Sequence, residues 1–126
     1  MITLAHGSGG ADSRELMQKV FAKHFANEVL ARLEDAATVG IPGAREGTER
    51  IAISTDTFVV RPLVFPGGDI GKLAVCGTVN DVLMSGATPR WLTCGFVLEA
   101  GLPVALLDRV CASMAAAARE AGVQIV

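Results

Sequence analysis

Residues 66–89 read PGGDIGKLAVCGTVNDVLMSGATP. Turn signals bracket this stretch, Pro66-Gly67-Gly68 before it and Gly86-Ala87-Thr88-Pro89 after it, so its interior reads as one helix. That interior is costly for a helix. Gly71 and Gly77 stand where alanine is preferred, at about 1 kcal/mol each, and Asn80-Asp81 lies mid-helix, where short polar side chains compete for the backbone's own hydrogen bonds. A helix that serves only as scaffold rarely combines these costs.

Two apolar runs flank the helix, IAISTDTFVV at 51–60 and RWLTCGFVLE at 90–99. Both are predicted as strands, and with the helix between them they make a β-α-β unit. The first run carries Asp56, which alternation places on the face shared by Ser54 and Phe58. Residues 61–65 bend from that strand into the helix. Downstream, Gly101-Leu102-Pro103 opens a last helix with Pro103 at its first turn, Leu107, Val110, Cys111, Met114 and Ala118 form its apolar stripe, and Gly122 stops it. Residues 123–126 begin a further strand. A strand that halts at its fourth residue leads us to expect a fragment of a longer protein, or a chain whose sheet is finished elsewhere. Upstream, residues 2–5 are a short extended entry and His6-Gly7-Ser8-Gly9-Gly10 follows. Leu16, Met17, Val20, Phe21 and Phe25 predict an amphipathic helix over 13–25, residues 27–33 add a helical turn, and 40–48 form a mobile loop.

The 126 residues suit one domain with a real core. A composition 51% hydrophobic and 19% charged is globular rather than disordered, and a net charge of −2 gives no basic footprint for nucleic acid. Apolar runs fall short of the roughly 18 residues a membrane span needs, and the N-terminus lacks a secretory pattern, so a cytoplasmic protein is expected. Cys76, Cys94 and Cys111 are odd in number and lack C-x-x-C spacing, which predicts reduced core thiols.

Two groups of residues carry candidate chemistry. In His6–Gly10, small residues before a helix let backbone N–H groups converge on a phosphate, or else the segment is a flexible tail. It matches neither G-x-x-x-x-G-K-[ST] nor G-x-G-x-x-G. The carboxylates Asp56, Asp69 and Asp81 are the second group. A carboxylate inside an apolar strand needs a donor or a cation. Asp69 stands where it either caps the helix or binds a metal. Asp81 lies one turn past Gly77, where the missing side chain leaves room for a ligand. Converging carboxylates beside bare backbone suit Mg²⁺, which shares protein oxygens with phosphates and water; hydrogen-bonded structural acids are the level alternative. Lys72, the one cation near these acids, either touches phosphate or is a solvated first-turn lysine. No Ser/His/Asp or Cys/His nucleophile arrangement is visible.

The blocks LAHGSGG at 4–10, STDTF at 54–58, FPGGDIGKLA at 65–74, CGTVND at 76–81, SGATP at 85–89 and CGFVLE at 94–99 strongly resemble the HypE family. These are carbamoyl dehydratases of nickel–iron hydrogenase maturation, within the PurM / aminoimidazole-ribonucleotide (AIR) synthetase-like superfamily, and the resemblance spans essentially the whole chain. It implies an α/β (α+β) domain in which a mixed sheet is covered by helices and completed by dimerisation. It also implies an ATP-dependent lyase that dehydrates a cysteine-bound thiocarboxamide to thiocyanate, the source of iron cyanide ligands. By the same resemblance Asp56 and Asp81 hold Mg²⁺–ATP with Asn80 beside them, Gly77 faces the pocket and Gly71 allows close helix–sheet contact. His6, Gly7, Ser8, Gly9 and Gly10 cover the phosphates, Lys72 is a further nucleotide contact, and Asp69 matches a metal-binding acid of related members. A homodimer, HypF and the HypC–HypD complex are the implied partners.

The departures matter as much. Cys76, Cys94 and Cys111 lie inside predicted elements, so no catalytic residue is expected within these 126 residues, and the carrier cysteine belongs to a C-terminal part. The chain alone is expected to be inactive. Within the same superfamily, selenophosphate synthetase pairs a reactive Cys or selenocysteine with Lys in its Gly-rich segment, which 6–10 lacks, and the Gly-Asp-Asp opening of thiamine-monophosphate kinase is absent. A reading from another class is a non-catalytic dimerisation and docking module.

Overall fold

The computed structural model describes residues 2–7, 9–43 and 49–126, which divide into two units, Met1–Glu34 and Asp35–Val126. In the first, a 3₁₀ turn at Leu4–Gly7 leads to α1 (Ala11–Leu16), a π-helical turn at Met17–Phe21 and α2 (Ala22–Phe25), followed by a 3₁₀ turn at Leu30–Arg32. The predicted amphipathic helix and the extra turn are both present, the former with a π turn in its middle. Ser13 ties the glycine-rich segment to α1: its Oγ accepts the Gly9 N–H at 3.0 Å and donates to the His6 carbonyl at 2.6 Å. Gly9 has φ +77°, a backbone only glycine adopts freely. Asn27 Oδ1 caps the final turn by accepting from the Val29 and Leu30 N–H groups.

The second unit begins with a strand that no sequence signal marked. β1 (Ala37–Gly40) pairs antiparallel with β2 (Arg50–Ile53), Ala37 opposite Ile53 and Gly40 opposite Arg50. Of the loop expected at 40–48, Gly40 belongs to β1, 41–43 are in neither helix nor strand, and 44–48 lie outside the described residues. β3 (Val64–Phe65) and β4 (Gly68–Asp69) form a tight antiparallel hairpin around Pro66-Gly67, with Gly67 at φ +95°. α3 (Ile70–Met84) follows, then β5 (Trp91–Leu92), α4 (Val104–Ala121) and β6 (Gln124–Ile125), which runs parallel to β5.

Three expectations change here. Strand 51–60 pairs only as far as Ile53, where its partner β1 begins, and strand 90–99 pairs only over Trp91–Leu92. These two strands do not pair with each other, so the parallel β-α-β unit is β5–α4–β6 and α3 packs outside it. Among the described residues the strands make three two-stranded ladders, parallel and antiparallel, in a mixed helix-and-strand fold. The cysteines are also placed differently: all three are exposed. For Cys76 and Cys111 the reason is helical phase, and Cys94 lies past the end of β5. Core positions Gly71, Val75 and Val79 recur every fourth residue of α3, which puts Cys76 one residue off the stripe. On α4, Val110, Met114, Ala117 and Ala118 hold the stripe and Cys111 falls beside it.

The core is the α3–α4 contact, in which Val75 and Val79 meet Val110, Met114, Ala117, Ala118 and Val123, with Ile70 and Leu92 packed on the margin. Gly122 ends α4 at φ +68°, and the Val123 N–H reaches back to the Ala118 carbonyl at 2.9 Å, a Schellman closure that folds Val123 into the core. Gly71 allows this contact: a Cβ there would stand 2.5 Å from the Val110 carbonyl oxygen. The close approach it permits is therefore helix on helix, not helix on sheet as expected.

Candidate functional site

α3 positions two of the three candidate carboxylates, at opposite ends. Asp69 is its N-cap: Oδ1 accepts the Gly71 N–H at 2.9 Å and the Lys72 N–H at 3.0 Å, and the residue is 5% exposed. Both bonds satisfy donors that the first turn would leave unpaired, and the helix dipole favours the negative charge. Twelve residues separate Asp69 from Asp81, about 18 Å along a helix axis, so α3 does not bring those two together.

Asp56 and Asp81 do come to one patch. Asp81 is half-buried, and its Oδ2 accepts a hydrogen bond from Ser54 Oγ at 3.2 Å. Ser54 Oγ also lies 3.2 Å from the Asp35 carbonyl. One turn earlier on α3, a Cβ on Gly77 would fall 3.6 Å from Asp56 Oδ2, so the Asp56 carboxylate lies against the bare backbone of the helix. Asp56 Oδ1 accepts its neighbour Thr57's N–H at 3.0 Å. The predicted open space over Gly77 is filled: Phe58 Cζ would be 2.7 Å from that Cβ and Cε1 3.0 Å. Asn80 is exposed beside Asp81.

This arrangement has a defined chemical capacity. Two acceptor-only carboxylates near one helical turn repel each other and favour a cation between or beside them. Among the described residues no group of three His, Cys, Asp or Glu side chains is placed to hold a metal by itself. Two protein carboxylates are what Mg²⁺ uses when phosphates and water complete its shell. The donor set therefore fits Mg²⁺ carried by a nucleotide and does not fit a metal caged by protein alone. Sequence reasoning placed Ser54 and Phe58 beside Asp56 but gave them no role. The signal was the two-residue alternation of 54, 56 and 58.

Lys72 lies elsewhere. It precedes Asp81 by nine residues, half a turn out of phase, and so occupies the other side of α3. Its stem covers Gly68, with Cδ 3.4 Å from where a Cβ would be, in a shallow depression shared with Phe65, Leu73 and Cys76. In the first unit, His6 Nδ1 accepts the Thr3 N–H at 3.1 Å and lies 2.8 Å from Thr3 Oγ1. A backbone N–H only donates, so Nδ1 is the bare nitrogen and Nε2 carries the proton. Gly7 and Gly10 flank the Ser13 tie, while Ser8 lies outside the described residues. Also in that unit, Lys19 hydrogen-bonds Glu15, and bond and charge together hold the carboxyl below the usual value. In the second unit, burial pushes the Cys94 thiol up, and the nearby Cys111 adds to the rise.

With this geometry in view, comparisons with known proteins are informative. The family "AIR synthase related protein, N-terminal domain" matches residues 33–126. Carbamoyl dehydratase HypE of Escherichia coli is 53% identical over 125 residues, and that of Rhodobacter capsulatus 52% over 128, each covering 99% of this chain. The chain spans only 37% and 36% of those relatives' length. A chain in the crystal structure of the HypE–HypF complex matches 93% of this one at a TM-score of 0.75 and 48% identity, covering 34% of itself. The crystal structure of HypE in complex with ATP matches all of this chain at a TM-score of 0.60 and 53% identity, over 36% of its own length. No described helix is long and apolar enough to cross a membrane. The matched span takes in every element of the second unit, Asp56, Gly77 and Asp81 included, and the chain belongs to the AIR synthase related protein family as its N-terminal domain.

Proposed function

We propose that this chain is the N-terminal, ATP-binding and dimerising part of a HypE-like carbamoyl dehydratase of hydrogenase maturation. The observation that carries the proposal is the Asp56 carboxylate seated on Gly77, one turn from Asp81, in a chain about half identical throughout to carbamoyl dehydratase HypE. ATP, when bound, supplies the phosphoryl group that makes the thiocarboxamide oxygen a leaving group, so that loss of phosphate gives thiocyanate.

The chain's own residues bind and orient. Asp56 and Asp81 hold Mg²⁺, and the Ser54 hydroxyl fixes one Asp81 oxygen so that the other is free for the ion. Asn80, exposed beside Asp81, is a neutral polar contact for the nucleotide. The segment His6, Gly7, Ser8, Gly9 and Gly10 is the phosphate cover that the family resemblance implies, with the Gly9 N–H already given to Ser13 Oγ. Asp69 serves the fold through its cap, and Lys72 is a peripheral charge. The substrate-carrying cysteine is assigned to a C-terminal part, as the family resemblance implies, and Cys76 and Cys111 are held within helices. We extend the proposal to a cytoplasmic homodimer that works with HypF, as the HypE–HypF complex supports, and with the HypC–HypD complex.

A second reading, a docking module without nucleotide, draws on the exposed apolar run Phe96-Val97-Leu98. Calorimetry with Mg–ATP separates the two. Binding that Asp81→Ala abolishes supports the nucleotide site; no binding by a chain that self-associates supports the module.

A further inference from the structure

Gly77 is a notch, and the ring of Phe58 fills it. An added Cβ would meet Cζ at 2.7 Å and Cε1 at 3.0 Å, closer than carbon atoms pack. We infer that Phe58 is a positioning residue for the Asp56–Asp81 pair, seated in the Gly77 notch so that residues 54–58 lie against α3 in a single register. The inference rests on the nucleotide reading above.

Two anchors bracket Asp56. Ser54 bonds Asp81 at 3.2 Å, and Phe58 packs on Gly77. Between these two anchors Asp56 has little freedom, and its Oδ2 falls 3.6 Å from the Gly77 Cβ position. Side-chain anchors are needed here because the β1–β2 ladder ends at Ile53, leaving residues 54–60 outside any strand. The contact needs both partners: a flat ring on one side and no Cβ on the other. Gly77 thus acts through Phe58, and its helix-propensity cost of about 1 kcal/mol is the cost of the notch.

The test uses this chain and three variants, Phe58→Leu, Gly77→Ala and Asp81→Asn. In the unmodified chain without nucleotide, the Phe58 ring shifts the Gly77 Hα resonances upfield, and Phe58→Leu removes that shift. Absence of the shift overturns the inference whatever the variants do. With ATP held constant, Phe58→Leu and Gly77→Ala raise the Mg²⁺ concentration at half-binding about 10- to 100-fold, as loss of a ligand-orienting partner does, while affinity for ATP without Mg²⁺ stays at the parental value. A merely structural role would lower both together, and that result overturns the inference. If Asp81→Asn abolishes Mg²⁺-dependent binding while Phe58→Leu and Gly77→Ala keep the parental midpoint, the positioning role alone falls. If Asp81→Asn binds Mg–ATP as the parent does, the nucleotide reading falls and takes the positioning role with it.

Discussion

Gly71 and Val110 touch through their backbones: a Cβ on Gly71 would lie 2.5 Å from the Val110 carbonyl oxygen and 2.7 Å from Met114 Cγ. The Met114 side chain could swing aside, but the Val110 carbonyl belongs to the α4 ladder and moves only with the helix. Gly71→Ala should therefore force α3 and α4 apart, at about 1–3 kcal/mol for overpacking. The better helix propensity of alanine returns at most about 1 kcal/mol. Thermal denaturation should show a net loss of stability; a variant that melts at or above the parental temperature would refute the contact.

Asp69 offers a test that separates fold from ligand. Its Oδ1 receives both the Gly71 and Lys72 N–H groups. Asp69→Ala should cost about 0.5–2 kcal/mol, the usual loss on removing a cap. Asp69→Asn keeps a capping oxygen and should melt near the parent. Because the cap is structural and α3 separates it from Asp81, Asp69→Asn should also leave Mg–ATP affinity unchanged. A large loss of affinity in this variant would restore Asp69 to the metal site.

The two helices of the second unit were legible because their ends carry strong local signals: Asp69 and Gly86 around α3, Pro103 and Gly122 around α4. The carboxylate patch was half legible. Alternation along 54–58 and the four-residue step from Gly77 to Asp81 are local periods, but no local rule says that a phenylalanine ring will fill a glycine notch 19 residues away. Strand extents were the least legible part. Residues 54–60 and 93–99 have the β-branched and aromatic content of strands, yet a strand's length is set by its partner, and pairing is a non-local fact. β1 was missed for the converse reason: in Ala37-Thr-Val-Gly40 only Thr38 and Val39 are strand formers, too short a run to mark a strand until Arg50–Ile53 pairs beside it. Cys76 and Cys111 were misplaced by one residue of helical phase, the difference between Val110 in the core and Cys111 on the surface, and Cys94 because the strand predicted around it does not form.

Cys94 predicts a pH effect. The residue is exposed overall, yet surrounding protein strips its sulfur of part of the hydration a thiolate needs, and Cys111 opposes a second negative charge nearby. Its folded pKa is therefore above the unfolded one, so the folded state keeps its proton longer. Stability from this group is complete below the ordinary thiol pKa, about 8.5, and declines as pH rises from there through the folded value. Cys94→Ser should flatten the fall in melting temperature between pH 8 and 10. Iodoacetamide should also alkylate Cys94 faster in Cys111→Ser than in the parent over the same range. Identical pH profiles for parent and Cys94→Ser would remove the effect.

Val97 is fully exposed and Val59 nearly so, each on a segment that lies beyond its ladder. The β5–β6 pairing closes with the Val126 N–H on the Leu92 carbonyl, and among the described residues 93–99 adds no further strand. Phe96, Val97 and Leu98 thus present apolar side chains on a segment in no strand of its own, where another chain can pack and pair. A second copy of the chain satisfies both at once, burying the apolar groups and pairing the N–H and C=O groups. Self-association of this chain should accordingly rise with concentration in sedimentation velocity. Val97→Glu places a charge where the partner would sit, and should weaken association at least about tenfold, equivalent to about 1.4 kcal/mol. It should leave the melting temperature of the dilute chain unchanged, because Val97 packs on nothing in the monomer. A parent that stays monomeric at every concentration would exclude the homodimer for this chain, and a Val97→Glu variant that associates like the parent would move the interface away from this segment.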